Sequence, residues 1–261
     1  KTYFLYIYNR IVTTNQYMTD FKFPTEVIDL PSKGLLYPKD SPLASGKLEM
    51  KYMTAKEEDI LTNQNYIQKG IVIDKLLQSL IVSKVNYSDL VTGDQNAVMI
   101  AARILGYGKD YEFSYGGQKH IIDLTTLEDK PFDESLITPH VNEFNYELPF
   151  TKTKITFKVM TVGDEEKVRK ELEGLKKIDK NLNPELSTRL KFMITSVEGN
   201  REPGAIRSFV DNGLLARDSK ALREYVKKVQ PDIDLNVTVD VGGVEEDITL
   251  PITVSFFWPD F

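Results

Sequence analysis

Cysteine is absent from all 261 residues. That single absence excludes disulfide frameworks, thiolate zinc sites, iron–sulfur clusters and cysteine nucleophiles. It also suits a reducing compartment. Histidine is almost as scarce, with only His120 and His140 to supply imidazole, so neither a histidine metal centre nor a histidine-based catalytic set is expected. No run approaches the roughly 18 apolar residues of a membrane span, so no membrane partner is expected. A basic excess is missing too. Lys and Arg number 33 against 39 Asp and Glu, a net charge of −6 with pI near 5.2. That sign argues against a nucleic-acid partner. What is present, 41% hydrophobic residues with 15 Gly and 12 Pro, can build the core of one large domain or two small ones. The composition is that of a soluble, cytosolic protein of mixed α and β structure.

Residues 1–17 (KTYFLYIYNRIVTTNQY) contain no acid and are rich in aromatic and β-branched types. They lack the compact apolar stretch and small-residue cleavage site of a signal peptide. They read as an extension upstream of a natural start at Met18, poorly ordered or arm-like, although residues 3–7 have strand-forming composition.

The remainder repeats itself. Residues 47–54 read KLEMKYMT and residues 154–161 read KITFKVMT. Leu48, Met50 and Tyr52 share one strand face, as do Ile155, Phe157 and Val159. Thr54 with Glu57 forms a capping-box pattern, so a helix follows the first strand; Thr161 with Asp164 is a weaker form of the same signal. Further on, Asp94-Gln-Asn-Ala and Asp218-Ser-Lys-Ala each open a helical pattern, ending near Leu105 and Val229. Each then leads to a hairpin whose turn, Gly116-Gly117 or Gly242-Gly243, supplies positive φ. The expected fold is therefore α+β, two related subdomains from an internal duplication. Their bounds are 18–127 and 146–261, with 128–145 as the connection. Helices are expected over 55–68, 72–83, from a cap at Asn183 with Pro184 in the first turn, over 204–212 and over 218–230, with Gly70 a break.

Motifs that carry chemistry are few. Gly106-Tyr107-Gly108 lacks the lysine and the strand-to-helix setting of a phosphate loop and reads as a helix-terminating turn. The acid runs Glu57-Glu58-Asp59, Glu165-Glu166 and Glu245-Glu246-Asp247 read as solvated faces rather than cation ligands. The signs in 167–180 (KVRKELEGLKKIDK) alternate as in a helix with i,i+4 pairs. His120 and His140 read as surface side chains with satisfied nitrogens. No catalytic, cofactor-binding or metal-binding residue is assigned.

Two segments stand out as partner-binding candidates. In LPSKGLLYP at 30–38, Leu30, Pro31, Lys33, Gly34, Leu35, Leu36 and Tyr37 form a stretch that cannot be a helix and is too apolar for an idle linker; it either packs over its own domain or docks on a partner. Gly34 would turn the chain so that the following side chains project outward. The second is the C-terminal ITLPITVSFFWPDF, read as an alternating strand over 248–258 that Pro251 confines to an edge. Phe257 and Trp258 would end it as aromatic interface anchors, and its free edge would invite an added strand from a partner protein.

LPSKGLLYP, followed by KLEMKYMTAKEEDIL and a terminus of the form PITVSFFWP, resembles the baseplate hub subunits of T-even-type contractile-tailed phages. The likeness is nearest to versions carried by marine cyanophages and covers residues 18–261. The resemblance implies a hub component or hub assembly factor with no assigned catalysis. It implies other phage baseplate hub or tail proteins as partners, with a hub or tape-measure segment as the strand added to the free edge, and a place in the virion tail baseplate or, during assembly, the host cytoplasm. It brings no catalytic residues to carry over. Two related faces also leave room for an oligomer. The alternatives are a transient assembly chaperone absent from the finished virion and, less favoured, an uncharacterised hydrolase using an acid pair.

Overall fold

The computed structural model of the chain describes residues 24–181, 183–252 and 254–257. The extension at 1–17 and the anchor Trp258 lie outside the described residues.

In the first half, β1 (Thr25–Asp29) pairs antiparallel with β2 (Lys47–Lys51), setting Ile28 opposite Leu48 and Glu26 opposite Met50. Alternation buries Ile28, Leu48 and Met50. Three short helices follow: α1 (Ala55–Leu61), α2 (Gln64–Gln68) and α3 (Val72–Leu80). The helix expected over 55–68 is split because the Asn63 side chain accepts from the N–H groups of Asn65 and Tyr66 and restarts it. Gly70, at φ 62°, makes the expected break. After α3 the chain returns to β2 through an Ile81–Met50 bridge. The long α4 (Thr92–Tyr107) then leads to the hairpin β3 (Asp110–Tyr115) and β4 (Gln118–Asp123). Gly108 ends α4 at φ 85°.

The second half also opens on paired strands and closes on a hairpin, with one strand more and its helices distributed differently between them. The strands β5 (Phe144–Glu147), β6 (Lys154–Phe157) and β7 (Ile194–Val197) form a sheet in the order β5-β6-β7. Between β6 and β7 run α5 (Val162–Ile178) and α6 (Glu185–Met193); α7 (Pro203–Asn212), α8 (Ala216–Val229), β8 (Asn236–Val241) and β9 (Val244–Thr249) follow. The α6 cap is Pro184 rather than Asn183 and has no side-chain hydrogen bond. The fold class is α+β, as expected.

Four details recur in the same sequence order. Both strand-to-helix junctions are capping boxes, at Thr54 with Glu57 and at Thr161 with Asp164. In each, the strand supplies a lysine to the capping carboxylate: Lys51–Glu57 at 2.8 Å and Lys158–Asp164 at 2.7 Å. Met50 pairs with Ile81 where Phe157 pairs with Ile194. The third residue of the long helix, Asp94 or Asp218, is fully buried and accepts from backbone N–H groups just beyond a Leu-Pro dipeptide.

The halves are sewn together by a short antiparallel bridge. Thr92 N–H donates to Met160 O at 3.0 Å and Val162 N–H to Leu90 O at 2.8 Å. Beside it Gly93 packs so tightly that a Cβ there would lie 1.9 Å from Pro231 O. One continuous apolar cluster runs through both halves, from Leu36 and Met50 to Phe157, Leu222 and Phe256.

Candidate functional site

The segment 30–38 turns inward, against the expectation that it projects. Leu30, Leu36 and Tyr37 are each 2% exposed, Pro31 and Gly34 are buried and Leu35 is half-buried; Lys33 is exposed. Gly34 does adopt positive φ, but the turn serves close packing: a Cβ there would lie 2.3 Å from Ala44 O. The loop is fastened by Asp94 at the start of α4. Ser32 donates its N–H at 2.9 Å and its hydroxyl at 2.6 Å to that carboxylate, and Tyr37 donates its hydroxyl at 2.5 Å. Tyr37 Oη in turn accepts from Val91 N–H at 3.1 Å. Burial pushes the Asp94 carboxyl up to about 6, with the Ser32 and Tyr37 hydrogen bonds pulling the other way. Burial, then the Asp94 charge, raises the Tyr37 hydroxyl well above its ordinary value. A hydroxyl held protonated by its surroundings is a donor, not a nucleophile. The node acts as a latch inside the fold. Lys33 stays on the surface, paired with Glu134 at 2.5 Å.

The C-terminal expectation is corrected in the same way. β9 stops at Thr249 because Leu250 N–H turns to Leu235 O and Pro251 has no N–H to give. Residues 254–257 form a 3₁₀ turn in place of the expected strand. Phe257 is 0% and Phe256 1% exposed. Phe256 meets Tyr111 edge-on at 4.8 Å, so these aromatics are core.

The acid runs divide. Glu57 is 0% exposed, contrary to a solvated face. Burial raises its carboxyl, but hydrogen bonds from Lys51, Thr54 and Ser79 outweigh that and bring it down to about 2. Glu245, Glu246 and Asp247 are exposed, as expected. His140 places Nδ1 3.2 Å from Tyr37 O, and His120 Nε2 lies 3.2 Å from Tyr115 O. Among the described residues no three His, Asp or Glu side chains gather as a metal site. Among them, too, no helix is long and apolar enough to cross a membrane.

Among the described residues, the groove of about 500 Å³ beside Leu36, Tyr37 and Pro38 presents no strand edge, whereas the pair of glycine hairpins does. Each is a sheet of two strands only. Their tips touch, with Tyr115 Oη 3.0 Å from Glu246 and Gly116 against Val241. Toward their bases a groove of about 530 Å³ opens between β4 and β8, with Ile121, Asp123 and Glu128 on one side and Asp234, Val237 and Thr238 on the other. Ile121 is 67% exposed. Sequence reasoning identified both hairpins and expected a free edge for an added strand on 248–258, but assigned no binding role to the β4 and β8 edges. The available signal was charge: from residue 229 to the end there is no Lys or Arg.

Compared with known proteins, the chain matches no family model, no curated protein and no solved structure.

Proposed function

We propose that the chain is a structural or assembly protein of the baseplate hub in a contractile-tailed phage, acting through contacts with other tail proteins rather than through catalysis. The observation that carries this is the resemblance of LPSKGLLYP, KLEMKYMTAKEEDIL and PITVSFFWP to that family. The way these residues are used supports it. Ser32 and Tyr37 latch one loop onto Asp94, and Lys51 with Thr54 fastens the first strand-to-helix junction through Glu57. Such segments carry a signature because the fold depends on them. The same reading takes the two halves as copies of one unit, which presents two related hairpins to the surroundings. It places the protein in the tail baseplate, or in the host cytoplasm while hubs assemble. An acid-pair hydrolase is less well supported: although the charge of Asp129 adds to the rise of Asp94, the Asp94 carboxylate is fully buried and already taken by the Ser32 and Tyr37 donors, which leaves it closed to a substrate.

The test is a tagged chain expressed in infected host cells. Hub or baseplate proteins are expected to co-purify with it, and the protein composition of purified virions then separates a permanent component from a transient chaperone. Absence of the chain from both virions and hub intermediates would remove the proposal.

A further inference from the structure

We infer that the groove between β4 and β8 takes an extended, lysine- or arginine-bearing segment of a partner protein, added as a strand to the free hairpin edges; this deepens the hub reading and rests on it for the partner's origin.

The backbone makes the first argument. Two-residue turns at Gly116-Gly117 and Gly242-Gly243 make Tyr115–Gln118 and Val241–Val244 the closing pairs of their ladders. In an antiparallel ladder, hydrogen-bonded and non-bonded pairs alternate from such a closing pair. The N–H and C=O groups of Ile121 and Asp123 on β4, and of Thr238 and Asp240 on β8, therefore point away from their own partner strands. Two outward groups are already engaged: Asn236 N–H donates to Asp234 Oδ1 at 3.1 Å on the β8 edge, and Asp123 C=O accepts from the Thr126 hydroxyl at 2.8 Å on the β4 edge. Residues on both of these edges line the same groove. Unsatisfied strand edges are templates for another strand.

Charge selects the occupant. Every ionisable residue lining the groove is acidic: Glu128, Asp234 and Asp123, the last already paired with Lys109 at 2.5 Å. Asp240, Glu245, Glu246 and Asp247 on β8 and β9 are exposed, and no basic residue follows Lys228 in the sequence. The β3–β4 hairpin by contrast carries Lys119, paired with Glu112 at 2.5 Å. An acidic segment would be repelled along the whole of β8–β9. A basic one gains charge complementarity, while its alternate apolar side chains meet Ile122, Leu127 and Val237 in the groove. Acidic side chains on an edge also deter pairing between like chains, so the same residues that admit a basic strand reject a second copy of this hairpin.

The experiment uses the full chain and a fluorescent peptide of alternating lysine and valine, with a glutamate–valine peptide as control. Binding is read by anisotropy across a salt series, and its location by amide hydrogen exchange. The lysine peptide is expected to bind, more weakly as salt rises, and to slow exchange at Ile121, Asp123, Thr238 and Asp240. Thr238→Pro removes an outward N–H and is expected to weaken binding by about tenfold. Should that variant lose the hairpin, judged by exchange within β8–β9, the pair Glu245→Gln and Asp247→Asn tests the charge without touching the backbone.

Equal binding of both peptides, protection confined to the helices, or no effect of any variant would overturn the inference. So would slow exchange of the outward amides in the free protein, which would mean that the chain fills its own groove. Peptide binding without any tail association would leave the groove standing and remove the hub reading; tail association that survives these variants would do the reverse.

Discussion

Asp94 and Asp218 occupy the same position in their helices, yet their carboxyl groups are driven in opposite directions. Both are fully buried and both hold a loop that follows a Leu-Pro dipeptide. Burial raises Asp94 to about 6. Burial also raises Asp218, but there the N–H groups of Phe150 and Thr151 win and the carboxyl is lowered. The difference lies in the loops. Residues 30–46 form a long loop that folds Tyr37 over the carboxylate, whereas 148–153 is short and leaves Phe150 58% exposed beneath Arg217. Both carboxylates accept backbone N–H and hydroxyl donors, but Tyr37 closes over Asp94, whereas the residues that hold Asp218, Phe150 and Thr151, are themselves exposed. The number of donors does not decide the sign; the depth of burial around them does.

Substitutions at matched positions test how far the halves are equivalent. The largest expected contrast is Gly93→Ala against Arg217→Ala. A Cβ at Gly93 would meet Pro231 O at 1.9 Å, so that variant is expected to lose more than about 3 kcal/mol in urea unfolding. Arg217→Ala gives up the contact with Phe150 and is expected to lose about 0.5 kcal/mol. Similar losses would mean that the seam between the halves is not closed by Gly93.

Next comes Asp94→Ala, which strands three buried donors and is expected to lose about 3 kcal/mol, against about 1.5 for Asp218→Ala, whose donors lie on an open loop. The reverse order would break the latch description of 30–38. A smaller contrast separates the two capping lysines. Lys51→Met leaves Glu57 buried with hydroxyl and N–H partners but no cation, an expected loss of about 2 kcal/mol. Lys158→Met leaves Asp164 with Lys167 at 3.3 Å and is expected to lose about 1 kcal/mol.

The last contrast is in the response to pH. Folded Asp94 holds a proton up to about 6, whereas its unfolded carboxyl releases it near 3.8. Between those values the native state binds more protons, so this group's contribution to stability falls as pH rises, by about 3 kcal/mol at most. Glu57 acts oppositely: lowered to about 2 from 4.5, it stabilises the fold above pH 4.5, and that contribution is lost as pH falls through the folded value. Asp94→Asn should remove the first slope and Glu57→Gln the second, read as unfolding midpoints between pH 2 and 7. An unchanged profile in Asp94→Asn would show that the latch does not titrate in this window.

Much of the local architecture was readable from short stretches of chain. A capping box involves residues three apart, and a glycine hairpin needs only its turn and flanking alternation, so Thr54, Thr161, Gly116-Gly117 and Gly242-Gly243 could be placed without knowing the fold. The matched strands KLEMKYMT and KITFKVMT, and the helices opened by Asp94 and Asp218, belong to the same class of short-range information. The third acid run was also readable, because Glu245, Glu246 and Asp247 lie together on an exposed two-stranded ribbon.

By itself, then, the sequence determined the α+β class, the strand-to-helix junctions, the hairpin turns and the negative charge of the last ribbon, all of which depend on neighbours a few residues away; β1, β5 and β7 were not legible in it. Tertiary structure alone decided which apolar residues are hidden. LPSKGLLYP reads as a projecting loop until Asp94, 62 residues beyond Ser32, supplies the acceptor that draws Ser32 and Tyr37 inward. Phe257 reads as a terminal anchor until Phe256 and Tyr111 come together across the fold. Glu57 reads as solvated until Lys51 and Ser79 converge on it. In each case a side chain's burial is set by a partner distant in the chain, and local pattern holds no information about where that partner will be.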